Sequence, residues 1–358
     1  MVVFGLAAAL LLVPVSGEAQ DEFERASLKG AGSTFVAPLV ANWVQSYRYR
    51  QAGGIRYHAP NAGLDDEMHG ITLDYEPVGS LAGIQRIKSG GVDFALTEMP
   101  LPAVELQRHG LVQFPLLLGS VALVANLPHV PPGALRLNSA IIANIYLGKV
   151  VRWSDPAIRQ LNPDITLPDA PINVVHRNDG SGTTFTLTSY LSSTSTEWRQ
   201  RVGVESLAKW PTGLGAKGSR GMVDTLRNTA NSLGYIDEVQ ARQSGLRIVA
   251  IQNARGNFVL PGNAGTIAAA QAASWNPAVG FYEVLVDTKE ANAYPIVASV
   301  FGLISNQLRQ TRYQRTLGFF DWTLAEGQAA TENLGYVPLP PAVSIKVRSE
   351  LARRAKGS

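Results

Sequence analysis

The 358-residue chain contains no cysteine. That absence excludes disulfides, thiolate metal sites, cysteine nucleophiles and the lipid-modified N-terminal cysteine of a bacterial lipoprotein. Charge is scarce as well: Asp, Glu, Lys and Arg make up 16% of residues, and 31 basic against 28 acidic side chains leave a net charge of only +3. The basic residues lie scattered among acidic neighbours and form no stripe, which argues against a nucleic-acid footprint. Beyond the first twenty residues no run approaches the roughly 18 uncharged apolar residues of a spanning helix, so a soluble mature protein is expected. Internal repeats and low-complexity tracts are also missing. What remains is a globular composition, 46% apolar, on a length that suits two domains of ordinary size.

The opening MVVFGLAAALLLVPVSGEAQ is an apolar run followed by small residues, with Gly17 and Ala19 at the −3 and −1 positions of a cleavage after Ala19. It resembles a secretory signal peptide, although no Lys or Arg precedes the apolar run. Residues 1–19 are therefore expected to be a signal peptide, and the rest to be periplasmic and not lipid-anchored.

Short β-branched or alternating runs recur between amphipathic stretches: ITLDYEPVG at 71–79, VDFALTEM at 92–99, VALVAN at 121–126, INVVHR at 172–177 and IVASVFGLI at 296–304. Strands alternating with helical patterns predict α/β layers around a mainly parallel sheet. Val36, Leu39, Val40, Trp43, Val44 and Tyr47 fall on one helical face, and a second helix is expected after Ser80 with Ile84 and Ile87 inward. The stretch 48–70 keeps no period and reads as a long surface loop. It holds His58, Asp65, Asp66, Glu67 and His69, but their spacing matches no metal motif, so no metal site is expected.

Three places combine a strand-like run, small or hydroxylated residues and then a helical pattern: KGAGSTF at 29–35, VGSLAG at 78–83 and RNDGSGTTF at 177–185. Glycine lets backbone approach a ligand, and a helix start leaves N–H donors unpaired, so each is a possible anion seat. Taken alone, each is equally a capped turn. Three in one chain, the last joined to Arg177, point to convergence on a small anion in a cleft at the carboxyl ends of strands. Other chemistries fail on the residues. There is no G-x-x-x-x-G-K-[ST] loop, D-G-S-G-T lacks the first glycine of a nucleophile elbow, and GAGSTF lacks the third glycine of a dinucleotide fingerprint. His176 neighbours Arg177 on a strand and so faces the other way, a poor base for the same cleft.

GAGSTFVAPLVANW, GSLAGIQRIKSGGVDFALTEMPL, RNDGSGTTFTLTSYL, WPTGLGAKGSRGM, NSLGYIDEVQA, FFDWTLAEGQ and YVPLPPAV occur in this order. From about Leu28 to about Arg348 they resemble the periplasmic phosphate-binding proteins of bacterial ABC-type phosphate importers. The resemblance implies a two-lobed periplasmic binding protein fold (type II), each lobe a mostly parallel sheet flanked by helices, joined by two hinge crossovers. Lobe I is expected from 20–117 plus 290–358 and lobe II from 118–289, with crossings near Leu116 to Leu118 and near Glu290. It implies phosphate binding by Thr34, Phe35, Ser80, Glu98, Arg177, Ser181, Gly182 and Thr183, with Asp179 bracing Arg177. It further implies membrane permease subunits as partners, a monomer, no cofactor and no enzymatic activity. The chain departs from the family pattern in three ways: Glu98 stands in T-E-M-P-L where the family has aspartate, Leu81 and Ala82 replace smaller residues, and 48–70 is long.

These residue types suit a dianion removed from water. Such an ion needs dense hydrogen bonding, which amides, hydroxyls and helix starts supply without a full countercharge, and arginine adds bidentate pairing. A carboxylate among donors only accepts, so Glu98 is expected to require an anion that still carries a proton. Phosphate and arsenate meet that condition, and sulfate does not. A secreted phosphatase, or a surface protein that has kept the fold, is the alternative. The aromatic rings of Trp43, Trp210 and Trp322 are expected in the core and not at the ligand.

Overall fold

The computed structural model describes residues 27–51 and 72–356. The expected signal peptide at 1–19 and His58, Asp65, Asp66, Glu67 and His69 lie outside the described residues. One boundary is corrected: Arg48 to Gln51, expected in the loop, continue the helix that begins at Ala37.

Eight strands form the path of the main sheet: β1 (Ser27–Gly32), β2 (Thr72–Glu76), β3 (Phe94–Thr97), β4 (Leu111–Ala125), β5 (Asn173–Arg177), β6 (Leu214–Ala216), β7 (Ser232–Asp237) and β8 (Ile296–Ser305). They lie in the order β2-β1-β3-β8-β4-β7-β5-β6, and three short strands pair at the sides. The two ends of this path are parallel, β2-β1-β3 and β7-β5-β6, as strand–helix alternation predicts. The middle is antiparallel through β8 and β4. A three-stranded sheet of Arg136–Leu137, Ala250–Gln252 and Phe258–Val259 stands apart.

β4 joins the two ends. All fifteen of its residues are buried, which is why it reads as a continuous apolar run without alternation. Leu111 to Ser120 pair with β8, and Val121 to Ala125 pair with β7. Pro115 has no N–H for the ladder, and the register with β8 shifts between Val300 and Phe301 opposite it, the bulge such a residue calls for.

Helices cover the sheet where the apolar periodicity places them. In α1 (Ala37–Gln51) Leu39, Val40, Trp43 and Tyr47 are buried, as is Val36 just before it. In α2 (Ser80–Lys88) Ile84 and Ile87 turn inward while Gln85 is exposed. α3 (Gly182–Thr194) starts on Ser181, whose hydroxyl accepts from Thr184 N at 3.1 Å. α4 (Gly218–Asn228) follows β6, and α5 (Glu238–Ser244) starts on Asp237, which accepts from Gln240 N at 2.9 Å. Among the described residues no helix is long and apolar enough to cross a membrane.

Candidate anion-binding site

β1, β2, β5 and β6 each run into a short glycine and hydroxyl turn followed by a helix start. Parallel pairing within each end of the sheet puts these turns at carboxyl ends, where unpaired helix N–H groups and a crevice coincide.

Glu98 is the centre of the arrangement. It follows β3 directly and is 3% exposed. It does not stand at a helix start, since the next helix begins at Ala103. Ser33 Oγ donates to Glu98 Oε1, and Ser80 Oγ donates to Oε2 at 2.8 Å. Burial pushes the Glu98 carboxyl above its ordinary range, and the Ser33 and Ser80 hydroxyls and the Arg177 charge act against that rise. Gly182 packs so closely on Glu98 that a β-carbon there would lie 1.9 Å from Oε2 and 2.7 Å from Ser80 Oγ. Gly79, before Ser80, has φ 95, and its β-carbon would lie 2.7 Å from Gly180 O. A side chain there would be strained and would collide with backbone.

Arg177, the last residue of β5, is 3% exposed. Its Nε and Nη2 donate to Asp179 Oδ1 at 2.6 Å and Oδ2 at 2.5 Å, a bidentate pair. Burial pushes the Asp179 carboxyl up, but Arg177 and the Gly218 N–H (3.0 Å) outweigh it and leave it below the usual range. Behind Arg177, Tyr235 Oη accepts from its N–H at 3.1 Å and Trp210 Nε1 donates to its carbonyl at 3.2 Å. His176 is half-buried, stacks on Trp210 with ring centroids 4.9 Å apart, and has burial lowering its pKa. Trp43 and Trp322 are core residues, as expected.

The three turns do meet. Leu81 N donates to Gly180 O at 3.3 Å, tying the VGSLAG turn to RNDGSG. Ser181 and Thr183 are buried, and the N–H groups of Gly182 and Thr183, opening α3, have no intrahelical acceptor. Thr34 Oγ1 meets Ser219 Oγ at 2.9 Å, so the GAGSTF turn reaches the start of α4. Phe35, expected at the ligand, instead has its N–H and carbonyl engaged within the protein. Its N–H donates to Ser33 Oγ at 3.1 Å, its carbonyl accepts from Tyr336 Oη at 2.7 Å, and its ring packs on that of Tyr336.

Sequence reasoning passed over Ser33, Gly218 and Ser219. The last two were legible, since LGAKGSRG repeats the strand, glycine, hydroxyl and helix pattern of the other turns. Ser33 was not, because only the fold brings Glu98 to it.

The family model of the PBP superfamily domain matches residues 17–326. The phosphate-binding protein PstS of Xylella fastidiosa (strain Temecula1 / ATCC 700964) is 37% identical over 337 residues, covering 94% of this chain and 88% of its own. The chain belongs to the PstS phosphate-binding protein family. The PstS of Pasteurella multocida (strain Pm70) is 36% identical, with 93% of this chain and 92% of that protein aligned. A solved phosphate-binding protein from Stenotrophomonas maltophilia superposes with a TM-score of 0.67 at 17% identity, over 90% of this chain and 93% of that one. At that identity the likeness speaks for the fold, which is the two-lobed α/β fold of periplasmic binding proteins. The family membership rests on the sequence relatives.

Proposed function

We propose that the protein binds inorganic phosphate between its two lobes and delivers it to the membrane permease of an ABC-type importer, without catalysis, as a periplasmic monomer. The observation that carries this reading is Glu98: a buried carboxyl in PstS-family surroundings, held by two hydroxyls and packed against the start of α3, with Arg177 nearby as the countercharge. Thr34, Ser80, Glu98, Arg177, Ser181, Gly182 and Thr183 are the proposed binding residues, with Asp179 as the brace of Arg177 and with Phe35, whose N–H donates to Ser33 Oγ, as a support of the site and not a ligand. Glu98 accepts a hydrogen bond from the proton that phosphate retains and sulfate lacks.

The proposed lobes are 20–117 plus 290–358 and 118–289. β4 supports a hinge near Leu116 to Leu118: there the strand carries the Pro115 bulge, and a few residues later it passes from β8 to β7. Closing and opening about two such crossings changes a few backbone angles while each lobe moves as a body. Export of the chain through residues 1–19 belongs to the same proposal. Neither a phosphatase nor a surface adhesion role is favoured by an observation on the structure, and His176 is engaged by Trp210 and the Arg177 carbonyl.

Calorimetric titration of anion-free protein tests the reading. Phosphate and arsenate are expected to bind and sulfate to be rejected by roughly four orders of magnitude. Arg177→Ala is expected to abolish tight phosphate binding. Unchanged phosphate affinity in that variant would refute the site assignment.

A further inference from the structure

Ser33 is held at every polar atom. Its N–H donates to Leu96 O at 2.8 Å, its carbonyl accepts from Tyr75 Oη at 2.9 Å, and its hydroxyl lies between Phe35 N and Glu98 Oε1. It is fully buried. An amide N–H only donates, so the Phe35 contact at 3.1 Å makes Ser33 Oγ an acceptor on that side. The single hydroxyl proton is then aimed at Glu98. The relay runs in one direction, from Phe35 N–H to Ser33 Oγ–H to Glu98 Oε1. Ser80 also meets Glu98, at 2.8 Å, but among the described residues no amide donates to its hydroxyl to fix its sense.

We propose that Ser33 is a positioning residue of the anion site: its directed hydroxyl holds Glu98 as an acceptor and so contributes to the rejection of tetrahedral anions that carry no proton. The inference rests on the phosphate-binding reading of Glu98. An acceptor facing sulfate leaves two buried acceptors opposed, whereas a protonated carboxyl donates to sulfate as readily as to phosphate. Selectivity therefore depends on Glu98 staying ionised. Burial works against that state, and the Ser33 hydrogen bond is the first of the influences opposing it, ahead of Ser80 and the Arg177 charge. Among the described residues the other titratable groups that feel Glu98 are Tyr75, Asp237 and Tyr336, none of which offers a compensating positive charge.

The test is calorimetry on the full mature chain with inorganic phosphate and sulfate as probes, from about pH 5 to about pH 8. Sulfate has no proton to titrate in this range, so any pH dependence of its affinity relative to phosphate, after allowance for phosphate's own titration, reports on the protein. Glu98→Gln is expected to relax sulfate rejection across the range, since its amide donates without a charge. Ser33→Ala is expected to bind sulfate about tenfold more tightly relative to phosphate near neutral pH, with the onset of sulfate binding about one pH unit higher than in the parent, one pH unit being tenfold in protonation. A merely structural defect lowers both affinities together and leaves that onset where it was. If Ser33→Ala does not fold, Ser33→Cys, close in size and a weaker donor, carries the same expectation in the same direction. A parent-like selectivity ratio and onset in the Ser33 variant, beside a relaxed Glu98→Gln, overturns the role of Ser33 alone. A Glu98→Gln protein that still rejects sulfate overturns the reading beneath it.

Discussion

Gly182→Ala isolates the closed site from the stability of the fold. Gly182 opens α3 without a positive φ, so alanine is compatible with its backbone and is expected to leave the helix no weaker, or to stabilise it by about 0.4–1 kcal/mol. The obstacle is across the proposed cleft. The new β-carbon would lie 1.9 Å from Glu98 Oε2, 2.7 Å from Ser80 Oγ and 2.8 Å from Glu98 Cβ. Glu98 is hydrogen-bonded on both oxygens and cannot swing away without losing the Ser33 or the Ser80 bond. Inserting a methyl into such packing costs about 1–3 kcal/mol, equivalent to roughly 5- to 150-fold in affinity. With Glu98 and α3 in different lobes, as proposed, the strain arises only when the α3 start meets Glu98, so it opposes closure and not the folding of either lobe. Calorimetry is expected to show phosphate affinity reduced by that factor, thermal melts without phosphate to lie at or slightly above those of the parent, and small-angle scattering with phosphate to give a larger radius of gyration than the parent. Phosphate affinity within twofold of the parent would refute the argument that Gly182 is required by contact with Glu98.

Two further substitutions test the electrostatics. Asp237 is buried at the end of β7, and burial pushes its carboxyl to about 7, with Gln240 pulling down and the Glu98 charge pushing up. The folded state therefore holds this proton more tightly than the unfolded chain. The contribution is fully present below the ordinary carboxylate range near 3.8 and is lost as pH rises through about 7. Asp237→Asn, which keeps an oxygen for the Gln240 cap, is expected to flatten denaturation midpoints between those pH values and to be more stable than the parent at about pH 8. A slope equal to the parent's would contradict it. Asp179→Asn leaves the buried Arg177 without its charged partner, and the melting temperature of the anion-free protein is expected to fall on the order of 5 °C, with phosphate restoring most of the loss. An equal fall with and without phosphate would show that Arg177 is not the countercharge for the anion.

Periodicity and turn chemistry carry far in this chain because they are local. The apolar face of α1, the inward Ile84 and Ile87 of α2, and the Ser181 cap of α3 are read from spacings of three and four residues, and the structure has them. The parallel ends of the sheet follow from strand–helix alternation, whereas the fifteen-residue β4 does not. It is buried along its whole length, so the pattern that would reveal it is lost, and its change of partner from β8 to β7 is set by strands more than a hundred residues away in sequence.

The sequence by itself pointed to the anion chemistry: no cysteine, no P-loop, no nucleophile elbow, but repeated glycine and hydroxyl turns at helix starts with one arginine and its aspartate two residues on. Those are short-range facts, fixed by backbone geometry and side-chain type. Only the tertiary structure decided how the turns meet. It set the Ser33 hydroxyl on Glu98 across 65 positions, joined Thr34 to Ser219 across 185, and left no room for a side chain where Gly182 meets Glu98. Such contacts depend on the order and twist of the whole sheet. No window of sequence contains both partners.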